Sequence, residues 1–200
     1  MKPATFALLT VCGLEELDSH HSGGVTHVLS ILDPDWPDPD AFRRYTSHHR
    51  TVLRFHDVIE PGPGLVPPEP ADVDAVLRFG RAIEEERQPG AEPGHLLIHC
   101  HMGISRSTAA MAMLLAQSYP DDDAERIVAR LVAVRPQAWP NARMIAFADR
   151  ALGRGGTLSR AVARLHARQI ARRPEMADLM RGFGRGREVD EALRAESAGA

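Results

Sequence analysis

The chain has 200 residues, 44% hydrophobic and 26% charged, with a formal charge of −3, a profile that reads as one soluble globular domain with additions. No run reaches the roughly 18 apolar residues of a membrane span, and two cysteines, Cys12 and Cys100, are too few for a disulfide scaffold or a structural zinc site. The charge is uneven: residues 1–149 carry a net −8 and residues 150–200 a net +5, and the basic part is arginine because Lys2 is the only lysine.

In chain order, TFALLTVC (5–12) is a predicted strand, and the N-terminus fits this better than a secretory signal, being too short and too soon followed by charge. GLEELDSHH follows as a short helix or turn, and GGVTHVLSIL supplies a second strand up to Leu32. DPDWPDPD breaks regular structure with three prolines and four aspartates, a surface loop. A third strand is predicted over Thr51 to His56, then the irregular PGPGLVPPEP. From Ala71, Val73, Val76, Leu77, Gly80 and Ile83 share one face of a helix that begins with acidic residues. HLLIHC (95–100) is an apolar strand for the centre of a sheet. A helix from about Ser105 to Ser118 is apolar nearly all round, so buried, and amphipathic helices follow at DDAERIVARLVAVR and ARMIAFADRAL. Strands alternating with helices, with little polar alternation in the strands, predict an α/β fold: a mostly parallel twisted sheet of four to five strands covered on both faces. Residues 153–200 are predicted as an arginine-rich, mostly helical extension. LSRAVARLHARQIARR carries Leu158, Val162, Leu165 and Ile170 on its apolar side, Pro174 breaks it, PEMADLMRGFG forms another helix, and the remainder fades into a polar end. The basic tail is expected to contact the acidic face of its own domain. No aromatic residues interleave with its arginines as a nucleic-acid platform would need.

The chemistry concentrates in HLLIHCHMGISRST (95–108). A strand, a tight loop containing Gly103 and a helix start leave backbone N–H groups pointing inward, with the positive helix end behind them. Such a concavity binds a tetrahedral anion. Cys100 sits at its base, where a nearby cation and helix terminus favour thiolate. Arg106 brings a planar fork that can hold two phosphate oxygens at once. Gly103 permits the conformation that turns the amides inward. A nucleophile, an anion nest and a bidentate clamp within seven residues point to phosphoryl transfer through a cysteinyl-phosphate.

His99, Cys100, Gly103, Ser105, Arg106 and Ser107 match the H-C-x5-R-S/T signature, and in the form HCxxGxSRS the stretch resembles the dual-specificity, cysteine-dependent branch of the protein tyrosine phosphatase superfamily. The resemblance covers about residues 5–152 and says nothing of the tail. It implies a tyrosine-phosphatase-like fold with Cys100 as nucleophile, and with phosphate held by the amides of His101, Met102, Gly103, Ile104 and Ser105 and the side chain of Arg106. Ser107 would donate to the cysteine sulfur, His99 would fix the cysteine carbonyl and loop, and Ser105 would cap the helix. Arg135-Pro136 and Pro140-Asn141 resemble the stretch this branch places under the loop, so Asn141 would brace it, an N-cap role being the plainer alternative. The glutamine that usually follows is absent here.

The implied general acid is an Asp on a loop after a strand. Asp57, ending VLRFHD, has that position, although it lies 43 residues before Cys100, longer than usual for the family. Asp72, Asp74 and Glu60 are rivals, the first two at a helix start where carboxylates ordinarily cap. Trp36-Pro37-Asp38 spells the WPD of other tyrosine phosphatases, but it lies 62 residues before Cys100 in a turn-like run of Asp-Pro repeats and reads as a decoy.

No metal or organic cofactor is expected. The pairs His20-His21 and His48-His49 do not present two rings to one ion readily, and no GxxxxGK[ST] loop supports ATP use. The expected activity is hydrolysis of phosphorylated proteins or peptides. The uncharged loop residues His101, Met102 and Ile104 argue for protein over inositol lipid, a phosphoinositide or small-molecule ester being the alternative substrate and a non-catalytic phosphate-binding module the alternative class. A reducing cytoplasmic location is expected because Cys100 must stay reduced. If the strands are parallel, Cys12 and Cys100 end close together, and a protecting disulfide is one reading.

Overall fold

The computed structural model describes residues 6–86 and 94–197. Four parallel strands, β1 (Phe6–Cys12), β2 (His27–Leu32), β3 (His49–Arg54) and β4 (Gly94–His99), lie in the order β1-β4-β2-β3. The sheet is thus the predicted parallel α/β layer, with HLLIHC at its centre. β2 and β4 are buried along nearly their whole length, which is why they read as unbroken apolar runs. The third strand sits two residues earlier than its sequence pattern placed it, because Phe55 N–H already donates to Leu32 carbonyl and His56 N–H turns away to Val66.

On one face of the sheet, Val11, Leu29, Ile31, Leu96 and Ile98 enter the main core with five helices: α1 (Pro70–Glu86), α2 (Arg106–Ser118), α3 (Ala124–Val134), α4 (Ala142–Ala151) and α5 (Thr157–Arg172). α2 is buried at eleven consecutive positions, Arg106 to Ala116, and forms the spine against which α1, α3 and α4 pack. Asp123 caps α3 by accepting from Arg126 N–H at 2.8 Å. On the other face, Cys12, Val28 and Leu97 meet Leu17 and Tyr45, contributed by short 3-10 turns at Leu14–His20 and Asp40–Arg44 or just beyond them.

The segment beyond residue 152 shares this core. Leu158, Ala161, Val162 and Leu165 of α5 belong to the same buried cluster as the sheet. α6 (Glu175–Gly182) and α7 (Gly186–Ser197) then close around Trp139, with Met176, Met180 and Val189 burying it completely. The polar end expected beyond PEMADLMRGFG forms a regular helix over Gly186–Ser197, and Glu188 within it and Arg185 just before it are buried. The sequence masked this because charged side chains are rarely buried unless paired, and these two pair with each other.

Candidate active site

In a parallel sheet all strands end at one edge, and the loops leaving that edge converge. Here the loops after β2, β3 and β4 bring together Asp33, Asp57 and Cys100. Cys100 is 2% exposed, and its Sγ lies 3.2 Å from Ser107 Oγ in the first turn of α2. Both cysteines are free and buried. Burial, reinforced by the Glu16 carboxylate, pushes the Cys12 thiol up to about 12.

The loop between Cys100 and Arg106 is clamped from outside. Gly103 has φ +67°, and a β-carbon there would collide with the backbone of Cys12 and Gly13, so both conformation and space require glycine. Arg135 Nε donates to the Gly103 carbonyl at 3.0 Å, while its two terminal nitrogens hold Glu16 bidentately at 2.8 Å each. Leu14 N–H donates to the His101 carbonyl and Trp139 N–H to the Ile104 carbonyl, both at 2.9 Å. With these carbonyls engaged outward, the loop amides are available to an anion. Met102 is 68% exposed at the rim, and Trp36 lies against the His101 ring, centroids 4.4 Å apart.

His99 is fully buried and bonds Ser30 Oγ of β2 through Nε2 at 2.7 Å. Burial, with the positive charge of Arg50 nearby, pushes its pKa down to about 3, so it is neutral. Its hydrogen bond therefore fixes the end of β4 to β2. His101 is also held below its ordinary value by burial and then by Arg106, and its Nε2 accepts from Asp33 N–H at 3.3 Å.

Arg106 is 3% exposed. Nη1 donates to Phe55 carbonyl and to Asp33 Oδ1, the latter at 2.6 Å, while Nε has no hydrogen-bond partner among the described residues. A buried guanidinium N–H is costly to leave unpaired. Such a donor is unsatisfied until a further acceptor reaches it.

Asp57 Oδ1 accepts from Ser105 Oγ at 2.7 Å, Asn141 Nδ2 at 2.9 Å and Arg185 Nη1 at 3.4 Å. Oδ2 makes no hydrogen bond among the described residues, and the side chain is 29% exposed. Burial pushes this carboxyl up, but Arg185, Arg106 and the hydrogen bonds from Asn141 and Ser105 outweigh it and hold it below the usual carboxylate range. Ser105 is the N-cap residue of α2 by position but makes no capping hydrogen bond. Its hydroxyl is drawn away to Asp57 and accepts from Arg185 Nη1 at 2.6 Å. Asn141 serves three partners: Oδ1 caps α4 by accepting from Met144 N–H, and Nδ2 braces Asp57 and the Val58 carbonyl.

Asp74 is exposed on α1, and the other rival carboxylates are engaged elsewhere. Asp38 is held by Arg50 and Arg54, Asp72 accepts from Glu69 N–H, and Glu60 pairs with Arg187. The sequence reading missed Asp33, Arg185 and Glu188. Asp33 had an available signal, since it directly follows the second strand at the same sheet edge as Cys100. Arg185 and Glu188 had none, because only tertiary packing carries them under the loop.

No protein-family profile matches the chain, and no curated protein matches its sequence. Solved structures do. The human tyrosine phosphatase-like serine/threonine/tyrosine-interacting protein aligns with TM-score 0.53 at 18% identity, covering 76% of this chain and 95% of that one. The PTP-2 phosphatase of Cydia pomonella gives TM-score 0.53 at 17% identity, covering 72% and 85%. Human DUSP28 gives 0.52 at 14% identity, covering 73% and 92%. The chain has the tyrosine-phosphatase-like α/β fold shared by these proteins.

Proposed function

We propose that this chain is a protein-tyrosine or dual-specificity phosphatase that hydrolyses phosphomonoesters through a cysteinyl-phosphate at Cys100. The observation that carries the reading is the buried Arg106, whose Nε has no hydrogen-bond partner among the described residues, at the end of the loop that begins with Cys100. In the first step Cys100 Sγ attacks phosphorus in line, the S–P bond forms and the P–O ester bond breaks. The departing oxygen takes a proton from Asp57 Oδ2. The loop amides from His101 to Ser105 and the Arg106 fork hold the equatorial oxygens as charge redistributes. In the second step the Asp57 carboxylate takes a proton from water, the resulting hydroxide attacks phosphorus, and the S–P bond breaks to release phosphate. The Ser107 hydroxyl, 3.2 Å from Sγ, stabilises the leaving thiolate.

The depressed carboxyl of Asp57 suits the base role directly. The acid role needs it protonated, so kcat/KM should fall as pH rises through its lowered pKa. Protein substrates are supported by the rim: Trp36 and Met102 are exposed and apolar, His101 is held neutral, and no lysine lies in the loop to fix inositol phosphates.

The test is turnover of a phosphotyrosine peptide alongside phosphoserine peptides, phosphoinositides and nucleotides. Cys100→Ser should abolish hydrolysis while retaining peptide binding, and Asp57→Ala should slow poor leaving groups by about 10²-fold or more. Turnover by Cys100→Ser would sink the cysteinyl-phosphate route, and preference for an inositol lipid or nucleotide would overturn the protein assignment. Binding without turnover by the unaltered chain would make it a recognition module.

A further inference from the structure

Arg185 lies 85 residues after Cys100 in sequence, in the segment for which the phosphatase resemblance gives no role. Yet it is 3% exposed and fully engaged at the site. Nη1 donates to Ser105 Oγ at 2.6 Å and reaches Asp57 Oδ1 at 3.4 Å, while Nε and Nη2 hold the two oxygens of Glu188 at 2.8 and 2.7 Å. Glu188 is fully buried and also accepts from Trp139 Nε1 at 2.7 Å and Ala142 N–H at 2.8 Å. One guanidinium thus joins the loop that holds phosphate, the loop that holds the acid–base carboxylate and the start of α4.

We propose that Arg185 is a positioning residue for the acid–base step, fixing Asp57 through Oδ1 and Ser105 so that Oδ2 alone exchanges the proton, and making the C-terminal segment part of the active site. A buried charge with each of its nitrogens hydrogen-bonded is oriented far more tightly than a solvated one. Among the described residues three donors converge on Oδ1 and none on Oδ2. The proton-bearing oxygen is thereby chosen by geometry. The charge of Arg185 also favours the carboxylate form. The groups facing Asp57 are Arg185 before α7, Arg106 of α2 and His101 of the phosphate loop, with Glu188 and the Cys100 thiol acting on Arg185 from its other sides.

The inference rests on the phosphatase reading for its catalytic meaning, so its test has one arm that does not require turnover. In full-length Cys100→Ser protein, ¹³C NMR would follow the Asp57 carboxyl, assigned by its loss in Asp57→Asn. Adding Arg185→Met should move its titration to higher pH, and an unmoved titration overturns the proposal. In the active chain, Arg185→Met should lower kcat for a phosphotyrosine peptide about 10- to 100-fold with KM little changed, against the roughly 10²–10⁴-fold that a general acid contributes. It should also move the alkaline limb of kcat/KM to higher pH, and in an Asp57→Asn background this move should vanish. A shift that persists without Asp57, or a folded variant with an unchanged limb, overturns it. Because Arg185→Met strands the buried Glu188, Arg185→Met/Glu188→Gln, which removes both charges together, is read in the same way if the single variant does not fold. Absence of phosphatase activity in the unaltered chain would count against the functional reading alone, since the NMR arm still decides the Arg185–Asp57 linkage.

Discussion

Asp33 occupies Arg106 in the structure, its carboxylate 2.6 Å from Nη1 and about one-third exposed. A phosphate dianion arriving at the same guanidinium meets this fixed negative charge. Asp33→Asn should therefore tighten inhibition by inorganic phosphate about two- to five-fold, the range an ion pair of roughly 0.2–1 kcal/mol permits, and leave kcat close to that of the unaltered chain. A large fall in kcat confined to poor leaving groups would instead make Asp33 a proton donor and displace Asp57 from that role. Proximity alone does not decide between the two carboxylates. Asp57 is braced by three donors through one oxygen, whereas Asp33 is spent on the clamp.

At the scale of elements, α4 is tied to the acid loop by the residue that starts it. Asn141 caps the helix with its oxygen and braces Asp57 with its nitrogen, and the two tasks separate by substitution. Serine is as good an N-cap as asparagine but carries no amide to donate to Asp57. Asn141→Ser should then keep stability nearly intact while lowering kcat about 10-fold, and Asn141→Ala should also lose about 1 kcal/mol in chemical denaturation. Equal stability for the two variants would show that the cap contributes nothing. The sequence left a cap and a brace under the phosphate loop open as alternatives, and the structure moves the brace to the loop of Asp57 and Val58. One amide group presents both an acceptor and a donor, so they coexist.

For the whole molecule, two buried imidazoles set the response to acid. His99 is fully buried and His166, stacked on Trp139 at 4.1 Å, is 1% exposed. Burial, with Arg50 acting on His99, pushes their pKa values down to about 3 and about 4 respectively. In the unfolded chain a histidine titrates near 6.5, so between that pH and the folded values the unfolded state binds protons that the native state refuses. The stabilisation is fully present above about pH 6.5 and is lost as pH falls, at about 1.4 kcal/mol per pH unit for each histidine. Denaturation midpoints should drop between pH 7 and pH 5, and replacing His166 by Gln should lessen that slope. A flat profile would mean that one or both rings are already charged in the native state. Acid thus favours a protonated Asp57 while weakening the fold around it.

The sequence by itself determined the parallel α/β layer and the strand–loop–helix that carries Cys100 and Arg106. These are local features: apolar runs of strand length, a glycine turn and a helix start within HCHMGISRS dictate one another through backbone geometry. It also brought Asp57 forward from chain order alone. What surrounds that carboxylate came only from tertiary structure. Arg185 and Glu188 looked like ordinary members of a polar, arginine-rich tail, because their pairing with each other, with Asp57 and with Trp139 spans up to 128 residues of chain. Helix periodicity predicts which residues share a face, but whether a charged face is solvated or buried depends on what packs against it, and here α7 packs on α5 and the residue just before it, Arg185, reaches Ser105.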